Sequence, residues 1–413
     1  MQMALSRLAR VLQSRSIALS AANAAKVCIV GAGPVSLLFA SKYLESNPHA
    51  TVDIYERSPR RGTPDENAFG FGVGDRGRLA LNTVPGLKRK VEAIGRFTSE
   101  GTMMVNRRDL VDAMLEHLEA RHPRIRVTHD TSVGFVDLEA CSVEVSTRGE
   151  SAIVPFDLLV GADGVNSSIR DQLVERGLPT ERYLRPVAWK ALRLPPQPSM
   201  ATDALTRIKE VDGVFGALLP RFPEGHSMLV YWRGPNPWAD RDELRAWLLA
   251  AAEISTVDDD ELDRFLKCHP GTEHVVRLPR FHDGGSRVAL LGDAAHDMYS
   301  TLGQGCAAGW GSALTLSDVL STHAEIPDAL EEYSRLAVPE AHAVMDMNLI
   351  SHLGDRKIYK LLALPLLMTG GVKKLHAQVN GPTRPYTEIR RKHAALVWLS
   401  RQIWKRERVA FEP

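Results

Sequence analysis

The chain has 413 residues, 44% apolar and 24% charged, enough to bury the core of one large domain or two ordinary ones. Its net charge of +1 gives no electrostatic reason to expect nucleic acid or an anionic membrane as partner. The four cysteines, Cys28, Cys141, Cys268 and Cys306, lie far apart; this spacing excludes a cysteine metal site and a disulfide framework and fits a reducing compartment.

The first 24 residues differ from the rest. They contain Arg7, Arg10 and Arg15, several serines and no acid, and the first acid in the chain is Glu45. Leu5, Leu8, Val11 and Leu12 would share one helix face opposite the arginines. That is the composition of an organellar transit peptide, with the amphipathic pattern favouring mitochondrion over plastid. The alternative is a frayed helix at the start of a cytoplasmic protein. No run reaches the roughly 18 apolar residues that a spanning helix needs. The best candidate, Leu361 to Met368, is short and contains Pro365.

The core starts at Lys26. Val27 to Val30 is an apolar run that reads as a buried parallel strand. Gly31-Ala32-Gly33-Pro34-Val35-Ser36 follows, then a helical pattern from Leu37 to Leu44, then a second strand from Thr51 to Tyr55 ending at Glu56. This is a βαβ unit. Glycines at Gly31 and Gly33 allow a tight turn and close approach of backbone to a pyrophosphate, and the helix N-terminus supplies N–H groups. Glu56 is placed to accept from a ribose diol. The third glycine of the pattern is replaced by Ser36, which predicts slightly looser packing of helix on strand.

Two later segments point to a flavin dinucleotide. Phe156 to Val160 reads as a strand running into Gly161-Ala162-Asp163-Gly164, with Ser167 and Arg170 beyond it. Arg287 to Leu291 reads as a strand leading into Gly292-Asp293-Ala294-Ala295-His296, then Gly303-Gln304-Gly305 and a helical stretch from Cys306 to Leu320. An acid at a strand end can hold a ribityl or ribose hydroxyl. A glycine-rich helix start can hold pyrophosphate and flavin carbonyl oxygens through backbone N–H groups.

Between these segments, Val187 to Leu194 reads as a strand, and Gly213 to Leu219 with Met228 to Trp232 as a hairpin. Trp189, Phe215, Tyr231 and Trp232 on these strands are candidates to line an aromatic pocket, or are ordinary sheet core. From Arg335 onward the pattern is helical, broken at Pro365, Gly370-Gly371 and Gly381-Pro382. The expected fold class is therefore α/β. A Rossmann-type dinucleotide-binding domain is formed by residues 25–180 and 275–330, a mixed β-sheet substrate domain by 181–274, and a helical cap by 331–413.

The glycine turn, the DGxxSxxR run (Asp163, Gly164, Ser167, Arg170) and GDAAH followed by GQG resemble the single-component FAD-dependent aromatic monooxygenases of the para-hydroxybenzoate hydroxylase class. Within it, Tyr333 to Ala343 and Pro385 to Arg391 are similar to segments of the kynurenine 3-monooxygenases. The resemblance implies FAD contacts at Val35, Tyr55, Glu56, Arg57, Gly72, Arg107, Val133, Asp293, Cys306 and Ala307, beside Gly31, Gly33, Ser36, Asp163, Gly303, Gln304 and Gly305. It implies that NAD(P)H reduces FAD, that O2 is activated as a flavin C4a-hydroperoxide, and that an aromatic small molecule is hydroxylated. It requires no metal, and no residue is assigned a catalytic role; His296 is expected to hold the loop near the flavin.

The departures concern the substrate site. The stretch from Arg96 to Val105 is too short for the full strand pair that presents an arginine and a tyrosine in that family. Ser351 stands where an asparagine is expected, a tyrosine expected shortly before Pro385 is missing, Ser300 replaces a proline and Ala307 an asparagine. Arg96 is the local candidate to grip a substrate, with Trp189, Phe215 and Tyr231 as apolar walls. Two other readings stay open: a flavin oxidoreductase without oxygen insertion, and a flavoprotein that binds FAD without turnover.

Overall fold

Strands that read as unbroken apolar runs are buried on both faces, as in a parallel sheet covered by helices. The computed structural model, which describes residues 25–60, 69–197, 200–201, 203–221, 225–285, 287–350, 371–382 and 384–407, has such a sheet at its centre. Its five parallel strands run in the order Val288–Leu290, Leu158–Gly161, Lys26–Val30, Thr51–Tyr55 and Ile125–Thr128. Val27, Cys28 and Ile29 are fully buried there. The helices Pro34–Ser46, Arg107–Arg121 and Gly305–Thr322 complete this unit. The α/β, Rossmann-type expectation holds. The transit-peptide segment (1–24), Ser351 and Pro365 lie outside the described residues.

A second sheet is antiparallel, in the order Thr206–Arg207, Phe215–Pro220, His226–Trp232, Glu181–Leu194 and Gly271–Arg277. Its two faces differ, as alternation requires. Leu192, Leu218, Met228, Val230 and Trp232 pack against the helices Arg241–Ala252 and Asp259–Lys267. Trp232 is therefore core, 2% exposed, on the face away from the other three aromatics. The opposite face carries Trp189, Tyr231 and Phe215 in a single cross-strand row, because Trp189 pairs with Tyr231 and Tyr231 with Phe215.

The strand expected at Val187 begins at Glu181, and a register shift between Arg185 and Ala188 interrupts the alternation that would have revealed its first half. Gly271–Arg277 pairs with that strand, so the sheet continues past residue 274, where the sequence reading drew its boundary. The helix Ile326–Asn348 likewise spans residue 330. Apolar pattern identifies a strand, but only its hydrogen-bond partners say which sheet it joins.

The helices Ile326–Asn348, Gly371–Asn380, Tyr386–Lys392 and Ala394–Glu407 close one side. Met345, Leu375, Val379, Tyr386 and Ile389 pack with Tyr183 and Val275 of the antiparallel sheet and with Met298 and Leu302 of the loop after GDAAH. Asp346, 1% exposed, ties this region together: Arg277, Arg390 and Arg401 bond its carboxylate at 2.9, 2.5 and 3.0 Å. Among the described residues no helix is long and apolar enough to cross a membrane.

Candidate flavin site and the adjoining aromatic face

The glycine turn lies at the carboxyl ends of the parallel strands, where open α/β sheets bind ligands. Gly31 has φ +96°, and a Cβ there would meet the Ala162 carbonyl oxygen at 2.5 Å, so only glycine lets the first strand abut the Asp163 segment. Glu56 braces the turn: its Oε2 accepts from Ala32 N and its Oε1 from Ser58 N, both at 2.8 Å. Tyr55 contributes its carbonyl, which accepts from Gly31 N at 2.8 Å. Ser36 does not loosen the packing as expected; it is fully buried, and its hydroxyl lies 2.7 and 2.9 Å from the Gly31 and Gly33 carbonyls, its single proton going to one or the other. Arg57 is exposed. The strand Thr131–Asp137 starts beside Glu56, since Thr131 N donates to the Glu56 carbonyl at 3.0 Å. Its Val133 lines a shallow depression with Ser168 and Gln172, apart from the cleft formed by the later motifs.

Val35 locks the three motif segments together. A Cβ on Gly309 would approach Val35 Cγ2 to 2.6 Å, and one on Gly292 would approach it to 3.3 Å, so the two glycines make room for the valine. Trp310 Nε1 donates to the Pro34 carbonyl at 2.9 Å across the same contact. Two helix N-termini, at Pro34 and Gly305, are thereby brought into one region, and neither cap residue, Gly33 or Gln304, supplies a side-chain acceptor. First-turn N–H groups and helix dipoles there suit an anion.

A Cβ on Gly33, Gly303 or Gly305 would meet nothing within 4 Å, so these backbones face open space. Asp163 Oδ2 accepts from Ser168 N at 2.7 Å, while its buried Oδ1 has no partner among the described residues. The uncapped helix starts, the open glycine cradles and this orphaned acceptor together fit a phosphate-bearing dinucleotide.

Gly72, Gly303, Gln304, Cys306 and Ala307 line one cleft, together with Arg76, Trp310 and Asn380. The sequence reading missed Arg76 and Asn380. Arg76 Nε donates to the Val379 carbonyl at 2.7 Å, and its guanidinium lies 4.3 Å above the Tyr386 ring. Gln304 Nε2 donates to Asn380 Oδ1 at 2.6 Å and its Oε1 accepts from the Tyr386 hydroxyl at 2.8 Å, so the C-terminal helices pin the GQG turn. Asp293 is solvent-exposed, yet the protein around it strips part of its hydration; this desolvation raises its pKa, and Arg107 opposes the rise. Desolvation also raises the Cys306 thiol, with Asp293 adding to it and Arg107 again opposing. Arg107 follows the cap residue Asn106, whose side chain accepts from Arg108 N at 2.9 Å. Among the described residues no group of three or more metal-ligating side chains comes together.

The aromatic row faces this region. The rings of Phe215 and Tyr231 stack at 5.5 Å, and Phe69 meets Trp189 edge-on at 5.4 Å. The Tyr231 hydroxyl lies 3.5 Å from Ser300 Oγ, in the loop between GDAAH and GQG. Burial raises the Tyr231 pKa, and the hydrogen bond to Ser300 opposes this. Arg96 sits half-buried on a two-residue strand, Arg96–Phe97, at one edge of a three-stranded sheet. The other edge, Gly70–Val73, is the one that reaches the antiparallel sheet, through Gly70 N donating to Ser227 Oγ at 3.2 Å. The structure thus unites Trp189, Phe215 and Tyr231 and places Arg96 two strands away from that contact.

His296 is 1% exposed, and its Nε2 lies 2.9 Å from Ser312 Oγ. Burial pushes its pKa down from 6.5 to about 4. His342 is also pushed to about 4, by burial and then by Arg277. Each folded pKa is below the unfolded value, so the stabilisation is complete above the unfolded pKa and is lost as pH falls toward 4. Melting temperature should therefore drop between pH 6.5 and pH 4, with His296 contributing on the order of 3 kcal/mol. His296→Gln should flatten that slope; an equal slope in wild type and variant would place the acid sensitivity elsewhere.

Fold and site together define a dinucleotide-binding flavoprotein. Residues 55–348 match the family described as FAD binding domain, and the chain belongs to that family. It falls in the class of FAD-dependent monooxygenases with the para-hydroxybenzoate hydroxylase fold. Among its relatives, the kynurenine 3-monooxygenase of Salinispora arenicola is 28% identical over 371 residues, covering 78% of each chain. A variant of 2-methyl-3-hydroxypyridine-5-carboxylic acid oxygenase is structurally similar, with a TM-score of 0.64 and 19% identity over 78% of this chain and 90% of that one. An HpxO variant of Klebsiella pneumoniae complexed with FAD gives a TM-score of 0.63 and 20% identity over 91% and 99% of the two chains.

Proposed function

We propose that the protein hydroxylates an electron-rich aromatic small molecule with O2, using NAD(P)H as reductant. The observation that carries this reading is the contact of the aromatic row with the flavin-side loop, through Tyr231 and Ser300. Bound FAD would supply hydride acceptance and oxygen activation, so the protein's part is position, dryness and charge. The helix starts at Pro34 and Gly305 would hold phosphate and flavin oxygens, and Asp293 and Glu56 the ribityl and ribose hydroxyls. Trp189, Phe215 and Tyr231 would hold the substrate ring out of water.

The test is NAD(P)H consumption with a panel of phenols, phenolic acids and arylamines under oxygen-18. Support is substrate-stimulated oxidation with one labelled oxygen in the product. Stimulated oxidation without label favours the second reading, a flavin oxidoreductase that inserts no oxygen. Ser300 and Ala307, in place of proline and asparagine, are the residues that favour that alternative. L-kynurenine should be turned over poorly. Its α-carboxylate and ammonium need fixed partners when taken from water, and the strand at Arg96 has two residues. Efficient, tightly coupled kynurenine hydroxylation would overturn this prediction.

The arginine-rich, acid-free start of the chain supports an organellar location, mitochondrion ahead of plastid. A fluorescent protein fused to residues 1–25 should enter an organelle, and a chain starting at Ala24 should still bind FAD because the first strand begins at Lys26. A cytoplasmic fusion would reject the targeting proposal.

A further inference from the structure

The loop between GDAAH and GQG is fixed at one residue. Leu302 is 4% exposed, and both polar atoms of its backbone are held by side chains. Its N–H donates to Asn348 Oδ1 at 3.0 Å, and its carbonyl accepts from Gln304 Nε2 at 3.2 Å. Thr301 Oγ1 donates to the same Asn348 oxygen, also at 3.0 Å. Asn348 ends the helix Ile326–Asn348, so this restraint comes from the C-terminal cap. A backbone N–H only donates, so Leu302 settles which end of the amide faces the loop. The other end gains nothing: Asn348 is 1% exposed, and its Nδ2 has no partner among the described residues. Burying an unpaired donor is costly, which makes the oxygen the reason for this amide.

The backbone beside it has the shape a proline imposes, without the proline. Tyr299 has φ −56° and ψ 146°, the extended conformation favoured before proline, and Ser300 opens the 3-10 turn Ser300–Leu302, a first helical position that suits proline. Serine leaves that shape unenforced. Side chains from two other elements hold it instead: Asn348, and Glu273 of the strand Gly271–Arg277, whose Oε1 accepts from Ser300 Oγ at 2.8 Å. Gly303, at φ +62°, then turns the chain into the helix start at Gly305. Whatever moves Leu302 therefore moves the GQG turn.

We propose that Asn348 is a positioning residue: its carboxamide oxygen holds the GQG turn in register with the flavin site, supplying the restraint that a proline at position 300 would otherwise give. The proposal rests on reading the GQG turn as part of the flavin site. It deepens that reading, because the flavin's surroundings then depend on the end of a helix in the C-terminal cap. Asn348 acts through Leu302 and needs no contact with the flavin itself.

An acceptor role and a packing role predict opposite orders of two variants. Asn348→Leu keeps the volume and removes the oxygen. Asn348→Asp keeps the oxygen and both loop hydrogen bonds, whatever it does to stability. The FAD-loaded full chain is read in two ways: hydrogen–deuterium exchange of the peptide spanning Leu302 reports the clamp, and iodide quenching of the bound flavin's fluorescence reports the flavin's surroundings. With two hydrogen bonds lost, Asn348→Leu should exchange about tenfold faster there, and quenching should rise severalfold at unchanged FAD content. Asn348→Asp should stay close to wild type on both readings. Adding Ser300→Pro should shrink the leucine effect, because proline then enforces the turn. Thr301→Val, at an exposed position, removes one of the two bonds and should fall between wild type and Asn348→Leu; it carries the test if the leucine variant does not fold. Unchanged exchange in Asn348→Leu and Thr301→Val, or faster exchange with an unchanged flavin signal, would overturn the proposal. So would an aspartate variant that behaves like leucine, or a leucine effect undiminished by Ser300→Pro. Wild-type protein that takes up no FAD would overturn the flavin-site reading itself, a failure distinct from failure of the clamp, and the proposal would fall with it.

Discussion

Glu56→Ala protein should purify almost colourless, while the wild type is yellow. The carboxylate has two partners in place before any cofactor arrives, Ala32 N and Ser58 N at 2.8 Å each. Hydrogen bonds to a charged group contribute about 1.5 to 3 kcal/mol. Removing the carboxylate unties the glycine turn from the end of the second strand and also deletes the acceptor for a ribose hydroxyl. Each 1.4 kcal/mol is about a factor of ten in affinity, so the loss of FAD affinity should be about a hundredfold or more. Asp293→Ala should lose less, about tenfold, because that acid is exposed and braces no backbone. Arg57→Ala, at an exposed position, should keep its flavin. The ratio of flavin to protein absorbance, followed by FAD titration of apoprotein, checks all three. Wild-type flavin content in both Glu56→Ala and Asp293→Ala would falsify the dinucleotide assignment.

The cofactor side was legible because its information is local. Strand, glycine turn, helix and terminal acid fall within residues 26–56, and the structure keeps that order. Gly292 and Gly309 were less legible, since the need for glycine at each is set by one distant side chain, Val35. Gln304 was visible in the GQG run, but its partners Asn380 and Tyr386 lie 76 and 82 residues away and carry no signal of the pairing. The Ser300–Glu273 bond is hidden in the same way. One feature was readable and went unread: adjacent strand residues face opposite sides, so Tyr231 and Trp232 could never line the same wall. The first half of Glu181–Leu194 was lost for the opposite reason, because the register shift breaks the alternation itself.

Asp346→Ala should loosen the C-terminal helices at a cost of about 3 kcal/mol, near the lower end of the range for breaking a buried ion pair. Asp346 is 1% exposed and pairs with three arginines from three elements. Arg277, with its side chain 11% exposed, would be left with its charge poorly solvated; Arg390 and Arg401, near 39% and 38%, can turn to water, which moderates the cost. The break falls between the strand Gly271–Arg277 and the helices that carry Arg390 and Arg401. Tyr386 sits one turn before Arg390 and pins Gln304, so loosening should reach the GQG turn and weaken FAD retention as well. Asp346→Asn keeps the volume and one acceptor oxygen and should fall between wild type and alanine. Arg335→Ala is the control on the same helix: its ion pair with Glu332 is exposed, it touches no part of the site, and it should change stability by less than about 0.5 kcal/mol. Limited proteolysis with a C-terminal tag, read beside urea unfolding, separates the outcomes. Faster loss of the tag in Asp346→Ala than in Arg335→Ala is expected; equal cleavage and equal urea midpoints would show that the three-arginine junction does not hold the cap in place.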